Sequence, residues 1–171
     1  MLEKYFDSKA VTEISENAIK IVGLDSMLIT AGKKDDFNTM TAAWGGLGYL
    51  WKKPVAFIFI RPQRYTFQFV EKNEDFTLCF FEPRYENVLE YCGNHSGRDT
   101  DKLKFTGLSP IETDRGNIVF SQARLILECR KWYSDDLKPE HFLDPKIKKI
   151  YPIGDYHRMY IGEIIFCGQK K

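Results

Sequence analysis

The chain has 171 residues, a net charge of +1, 43% hydrophobic residues and 29% charged residues. Those values fit one soluble domain over residues 1–171 that needs neither a disulfide nor a metal to stay folded. A charge so near zero reserves no face for a nucleic acid, and no apolar run is long enough to span a membrane.

Taken in chain order, Met1 to Lys9 lacks the apolar stretch and small-residue site of an export signal. Residues 9–19 place Val11, Ile14, Ala18 and Ile19 near helical spacing, which predicts a short helix. Ser26–Ala31 reads as a strand ended by the polar turn Gly32–Asp36, and Thr39–Trp44 reads as its hairpin partner. Pro54–Ile60 is a continuous apolar strand. Thr66 is expected to cap a helix that runs to about Asn73 and carries Phe67 and Val70 on one side. Phe76–Phe81 is a strand, and Asn87–Cys92 looks helical before Gly93. Ser96-Gly97-Arg98-Asp99 matches a loose capping box and starts another helical turn. Residues 118–132 alternate in part and form the longest strand. Arg158–Cys167 is the last, with Gly162 marking a bulge or a close backbone approach. Six strands with short helices and short links exclude a parallel α/β sheet. They predict a mainly β (α+β) fold, an antiparallel barrel with helices over its openings.

The cysteines Cys79, Cys92, Cys129 and Cys167 form no C-x-x-C pair, and His95, His141 and His157 are scattered. No zinc site is expected, and a reducing, cytoplasmic setting fits best. Cys79 and Cys167 read as small core residues.

Two segments flank the strand Pro54–Ile60. Asn38-Thr39-Met40-Thr41-Ala42-Ala43-Trp44 continues into Gly45-Gly46-Leu47-Gly48. So little side-chain bulk lets a ligand reach the main chain, although a glycine-rich turn between strands gives the same pattern. Arg61-Pro62-Gln63-Arg64-Tyr65-Thr66 offers guanidinium forks, a hydroxyl and the first amides of a helix, all suited to phosphate. A strand-to-helix turn with solvated arginines is the plain alternative. Together the segments suit a flat heteroaromatic ring with a phosphate tail, and flavin mononucleotide (FMN) is the first such ligand to test. Ser96, Gly97, Arg98, Asp99 and Lys102 form a third polar group, open to reading as ligand contacts or as a solvated loop. His157, before the last strand, can assist proton transfer or serve structure. Trp51, Trp132 and Tyr133 either stack on a ligand or make packing or dimer contacts. There is no G-x-G-x-x-G after a strand, no P-loop and no G-x-S-x-G.

Taken together, Asn38–Gly46, Lys53-Pro-Val, Arg61–Thr66, Phe76–Phe81, Ser96–Lys102 and Asp155–Glu163 resemble the flavin reductase-like family. These are FMN-binding split barrels that include flavoredoxins. The resemblance covers roughly residues 20–170. It implies a six-stranded antiparallel Greek-key split barrel with short flanking helices, a homodimer, and one FMN per subunit near the dimer interface. It places Asn38 to Trp44 along the ring, Arg61, Gln63, Arg64, Tyr65 and Thr66 at the phosphate, and Ser96 to Lys102 closing over the cofactor. His157 falls on the nicotinamide side, as the catalytic candidate. Relatives commonly carry serine where Cys79 stands, so Cys79 is left outside the site.

Three functions follow as expectations. The first is an NAD(P)H-dependent flavin oxidoreductase, with hydride passing from the nicotinamide to flavin. The second is a flavoredoxin-type carrier with tightly bound FMN and a protein electron acceptor. The third is a β-barrel binding protein with no redox role.

Overall fold

The sheet is built from apolar runs that place side chains alternately on two faces. A computed structural model describes residues 2–171. The strands are β1 (Phe6–Ser8), β2 (Met27–Lys33), β3 (Asp36–Ala42), β4 (Gly45–Leu50), β5 (Lys53–Ile60), β6 (Asp75–Phe80), β7 (Pro110–Glu112), β8 (Ile118–Phe120), β9 (Leu125–Asp136) and β10 (Arg158–Lys170). Three α-helices accompany them: α1 (Tyr65–Lys72), α2 (Glu86–Asn94) and α3 (Lys102–Thr106). On β2, Met27, Ile29 and Ala31 enter one apolar cluster and Leu28 enters another. On β6, Phe76, Leu78 and Phe80 face the first cluster and Cys79 the second. On β9, Leu125, Leu127 and Cys129 face the first and Ile126 the second. These three strands are therefore covered on both sides, which explains their unbroken apolar runs.

The main sheet is antiparallel, in the order β3-β2-β6-β9-β10-β5-β4, with β1 pairing to the far end of β10. Core residues from both ends of that order, Met40 and Ala42 at one and Ala56, Ile58 and Ile60 at the other, share one cluster with the middle strands. The sheet thus wraps around a common interior. Its two terminal strands, β3 and β4, are joined by only Ala43 and Trp44, yet they do not pair. The barrel is split along that line. Phe69 and Val70 of α1 enter the interior, while α2 lies against β3 and β2 from outside. Among the described residues no helix is long and apolar enough to cross a membrane.

The antiparallel β architecture with short helices is as expected, but ten strands replace the predicted six. Strand β1 is additional. Gly45–Leu50 is β4 and not a turn: it pairs with β5 from Gly45↔Ile58 to Leu50↔Lys53. A Cβ on Gly45 would stand 2.5 Å from the Phe57 carbonyl oxygen, so glycine is required there by close approach. Residues 118–132 divide at Ser121–Arg124 into β8, which pairs with the additional strand β7, and β9, which pairs with β6 and β10. No helix spans residues 9–19. Val11–Glu13 is one 3-10 turn, and Asn17 then accepts the Lys20 amide at 3.1 Å, opening a second short turn over Lys20–Leu24. Gly162 fulfils both of its readings. The β9–β10 register shifts between Ile161 and Gly162, and a Cβ there would lie 2.8 Å from the Phe76 ring.

The turn from β4 to β5 is Trp51-Lys52, with φ of 52° and 62°. Two positive φ angles match the right-handed twist of a hairpin, but they favour Asn or Gly. Left-handed geometry costs an ordinary residue about 1–2 kcal/mol, partly offset by the extra unfolded-state entropy of glycine. Lys52→Gly is expected to stabilise the protein by about 0.5–1 kcal/mol, read as a higher urea midpoint at unchanged m-value; a lower midpoint contradicts this account of the turn.

Candidate functional site

Beside the split, a cleft of about 580 Å³ opens between β3, the turn before α1, the loop after α2 and His157. Asn38, Met40, Thr41, Ala42, Ala43 and Trp44 line one wall. Arg61, Gln63, Arg64, Tyr65 and Thr66 line a second, and Ser96, Gly97, Arg98, Asp99 and Lys102 a third. Thr39 departs from the expected set. Its hydroxyl donates to the Ile29 carbonyl at 3.2 Å and meets that of Thr30 at 2.9 Å. It serves the cleft only through its carbonyl, which accepts from Lys102.

The α1 end of the cleft gathers donors and positive charge. Arg64 is the N-cap residue, extended at φ −66° and ψ 132°, and no side chain caps the helix. The Phe67 amide turns back to the Arg64 carbonyl at 2.9 Å, which leaves the Tyr65 and Thr66 amides at the helix start without an acceptor among the described residues. Thr66 is not the cap, as the sequence predicts, but lies inside the first turn, where its hydroxyl accepts from Asn38 Nδ2 at 2.6 Å. The Arg64 guanidinium donates to the Gly93 carbonyl at 2.7 Å. Arg98 donates to the Gln63 carbonyl at 3.3 Å and lies 4.9 Å over the Tyr65 ring. Among the described residues, no carboxylate pairs with either guanidinium.

Gly97 sets the height of the third wall. A Cβ there would fall 2.0 Å from Asn38 Oδ1 and 3.2 Å from the Tyr65 ring. Ser96–Asp99 forms a turn in place of the predicted helix start, and Asp101 caps α3 by accepting the Lys104 amide at 3.1 Å. Lys102 is buried, and its ammonium donates to the Thr39 and Cys92 carbonyls at 2.7 and 2.9 Å. Burial lowers its pKa, the nearby Cys92 opposes that, and Arg64 adds to it.

Arg61 is committed elsewhere. It pairs with Asp155 at 2.6 Å, reaches the Ile150 carbonyl at 3.3 Å and lies 5.2 Å over the Tyr151 ring. Gln63 donates to the same Asp155 oxygen. These contacts fasten residues 150–155 to the cleft edge. There, His157 packs 4.8 Å from Trp44, and its Nδ1 lies 2.8 Å from the Tyr151 hydroxyl. Burial first, then Arg61, pull the His157 pKa down to about 4; Asp155 opposes this and Arg64 contributes further. The ring is neutral at ordinary pH.

A family model described as "Flavin reductase like domain" matches residues 24–170. The chain belongs to that family. No curated protein matches it. Among solved structures, the chain is similar to the flavoredoxin of Methanosarcina acetivorans at 21% identity and a TM-score of 0.65, covering 84% of this chain and 67% of that one. It is similar to an FMN-binding domain of a flavin reductases-like enzyme from Shewanella baltica at 17% identity and a TM-score of 0.70, covering 96% and 76%. It is also similar to an NADH:FAD oxidoreductase of Streptomyces globisporus, solved with NAD and FAD fragments, at 16% identity and a TM-score of 0.64, covering 86% and 77%. At such identities these likenesses show a shared fold.

In this flavin reductase-like chain, three cleft residues escape sequence reading: Phe59, Asn94 and His95. Phe59 is an aromatic out of phase with the core positions Ile58 and Ile60 of β5, and that offset is its signal. Asn94 and His95 lie at the end of α2, just past the glycine that marks its last turn. Trp51, Trp132 and Tyr133 do not line the cleft; Trp51 packs 6.1 Å from Trp132 and 6.4 Å from Tyr133. Cys79 is buried in the outer cluster, away from the cleft.

An unfolded histidine titrates near 6.5 and folded His157 near 4. Between those values the unfolded state binds more protons, so His157 costs no stability above pH 6.5 and a growing amount as the pH falls toward 4. The expected loss is about 1–3 kcal/mol across that window. His157→Gln should flatten that part of the stability profile in urea unfolding, and an unchanged acid slope would remove His157 as its source.

Proposed function

We propose that this protein holds FMN in the cleft beside the split and works as an NAD(P)H-dependent flavin oxidoreductase. One observation carries the reading. Among the described residues, Arg64 and Arg98 stand without carboxylate partners beside the uncapped start of α1, whereas Arg61, three residues before Arg64, has its own acid. Two unneutralised guanidiniums and free helix amides fit a phosphate dianion. A cleft of about 580 Å³ with a small-residue wall at Ala42 and Ala43 fits a flat ring. Arg64, Arg98 and Thr66 would hold the phosphate end, and Met40 to Trp44 would lie along the ring. The flavin supplies the two-electron chemistry when bound. The chain's own part is to anchor the tail, fix the ring's height through Gly97 and offer the neutral imidazole of His157 at the far wall.

The carrier reading keeps the same site and adds a protein electron acceptor. It is favoured by the exposed aliphatic residues Ile150 and Ile153 in the segment fastened beside the cleft. A homodimer is part of the proposal as well. The exposed aromatics Tyr49, Trp51, Trp132 and Tyr133 offer a second copy a face of the kind interfaces use. A cytoplasmic location fits four free, buried cysteines.

Fluorescence titration with FMN tests the site. Arg64→Ala with Arg98→Ala is expected to weaken binding by about 2–4 kcal/mol, from charge-assisted hydrogen bonds of about 1.5–3 kcal/mol each. Unchanged affinity would sink the phosphate assignment, and a protein that binds no FMN at all would favour the non-redox binding role. Oxidation of NADH or NADPH by the FMN-loaded protein then separates reductase from carrier. Gly97→Ala should weaken FMN binding severalfold by lifting the loop off Asn38, while the urea midpoint shifts by no more than about 1 kcal/mol equivalent. Loss of the fold instead would show that Gly97 serves the barrel and not the cleft.

A further inference from the structure

His157 and Tyr151 are both buried, and the Tyr151 hydroxyl stands 2.8 Å from His157 Nδ1. Among the described residues that hydroxyl meets no other acceptor, and burial raises its pKa, so it keeps its proton. If Nδ1 carried the ring hydrogen, the tyrosine proton would have nowhere to go, and a buried donor left unpaired costs about 1–3 kcal/mol. The arrangement that satisfies both groups has Tyr151 donating and Nδ1 accepting. A neutral imidazole that accepts at Nδ1 carries its hydrogen on Nε2. Among the described residues His157 Nε2 bonds no protein atom, and it is not sealed from the surroundings; the ring lines the cleft next to Trp44.

We propose that Tyr151 is a positioning residue that locks His157 as its neutral Nε2–H tautomer, so that this wall of the cleft offers a bound ring a hydrogen-bond donor and not an acidic proton. The complementary ligand class is a planar ring carrying a carbonyl or carboxamide oxygen at its edge. The choice of ring rests on the flavin reading above; the tautomer does not.

The charged surroundings agree with a neutral ring. Arg61 and Arg64 face His157 and disfavour a second positive charge, while Asp155, the acid that would favour one, is already bonded by Arg61 and Gln63. Tyr156 packs 4.9 Å from Tyr151 and Phe142 stacks 6.0 Å from it, which leaves the tyrosine ring little freedom to turn away. With its pKa near 4, the imidazolium form is about one molecule in a thousand at pH 7. His157 therefore polarises an acceptor in the manner of a fixed donor, and protons consumed in the reaction reach the cleft by another route.

The test is nitrogen-15 NMR of the histidine rings in ligand-free protein at pH 7. The expected His157 spectrum shows one protonated nitrogen, Nε2, and one unprotonated nitrogen, Nδ1. Tyr151→Phe should convert that single pattern into a mixture of tautomers. An Nδ1–H or doubly protonated ring in the unaltered protein would overturn the proposal, a result that stands whether or not the variant folds. A folded Tyr151→Phe protein with an unchanged single tautomer would remove Tyr151 from the role. Added FMN should shift the Nε2 resonance; binding without a shift would refute the donor's place in the cleft. Absence of FMN binding would refute the flavin reading alone, because the tautomer is read in the free protein.

Discussion

An unclosed seam organises this molecule. Strands β3 and β4 follow each other in the chain, separated by two residues, and still leave their facing edges unpaired. A free strand edge exposes main-chain groups that must find partners. On β3 the Thr39 carbonyl finds one in the helical layer, and the Thr41 side chain ties the strand to α2. The buried Lys102 ammonium donates to the Thr39 carbonyl and to the Cys92 carbonyl of α2, and the Thr41 hydroxyl donates to the Leu89 carbonyl at 2.5 Å. Burying an ammonium is costly, and two carbonyl bonds offset much of that cost. In return the C-terminal end of α2 is pinned over β3. The loop that follows, with Gly97 and Arg98, is then carried to the cleft rim. One lysine thus links the edge of the barrel to the third wall of the site.

Electrostatics divide the cleft into a settled side and an unsettled one. Arg61 and Asp155 neutralise each other, and Gln63 takes part in the same knot. Arg64 and Arg98 have carbonyl contacts but no acid. Their charge is felt nearby: Arg64 helps depress the pKa of both Lys102 and His157. Like charges gathered in a half-buried space repel, and the folded state carries that cost. A dianion seated at the start of α1 would relieve the repulsion between Arg64 and Lys102. The free protein is accordingly expected to be less stable than its anion-bound form by more than the local contacts alone would give.

The fold was largely legible because its decisive signals are local. Apolar runs at Pro54–Ile60 and Phe76–Phe81, and turn residues at Gly32–Asp36, map onto strands and hairpins with little ambiguity. Strand β4 was not legible, since three glycines within six residues look like a turn. What makes them a strand is the close approach of the Phe57 carbonyl, a tertiary fact. The helix over residues 9–19 failed for the opposite reason: the apolar spacing was right, but Asn17 captured the Lys20 amide and restarted the helix late. At the site, residue types announced the walls, and the structure brings sixteen of the seventeen proposed cofactor contacts, all but Thr39, and His157 to one cleft. The partners of those residues were invisible. Nothing in the spacing of Arg61 and Asp155, or of Tyr151 and His157, tells that each pair meets, because a long irregular segment brings them together.

That contrast bears on how much this chain shares with its structural neighbours. A fold held in common at 16–21% identity must rest on features many sequences can supply. In this chain the seam, the helix amides and the small-residue wall are of that kind, since they are made of backbone and of side chains with little bulk. The Tyr151–His157 pair is not. It depends on two side chains at 2.8 Å, held by a knot of Arg61, Asp155 and stacked rings in a segment with no strand or α-helix of its own. The shared fold therefore needs no particular side chains at these positions, while the protonation state of His157 is set within residues 137–157 of this chain.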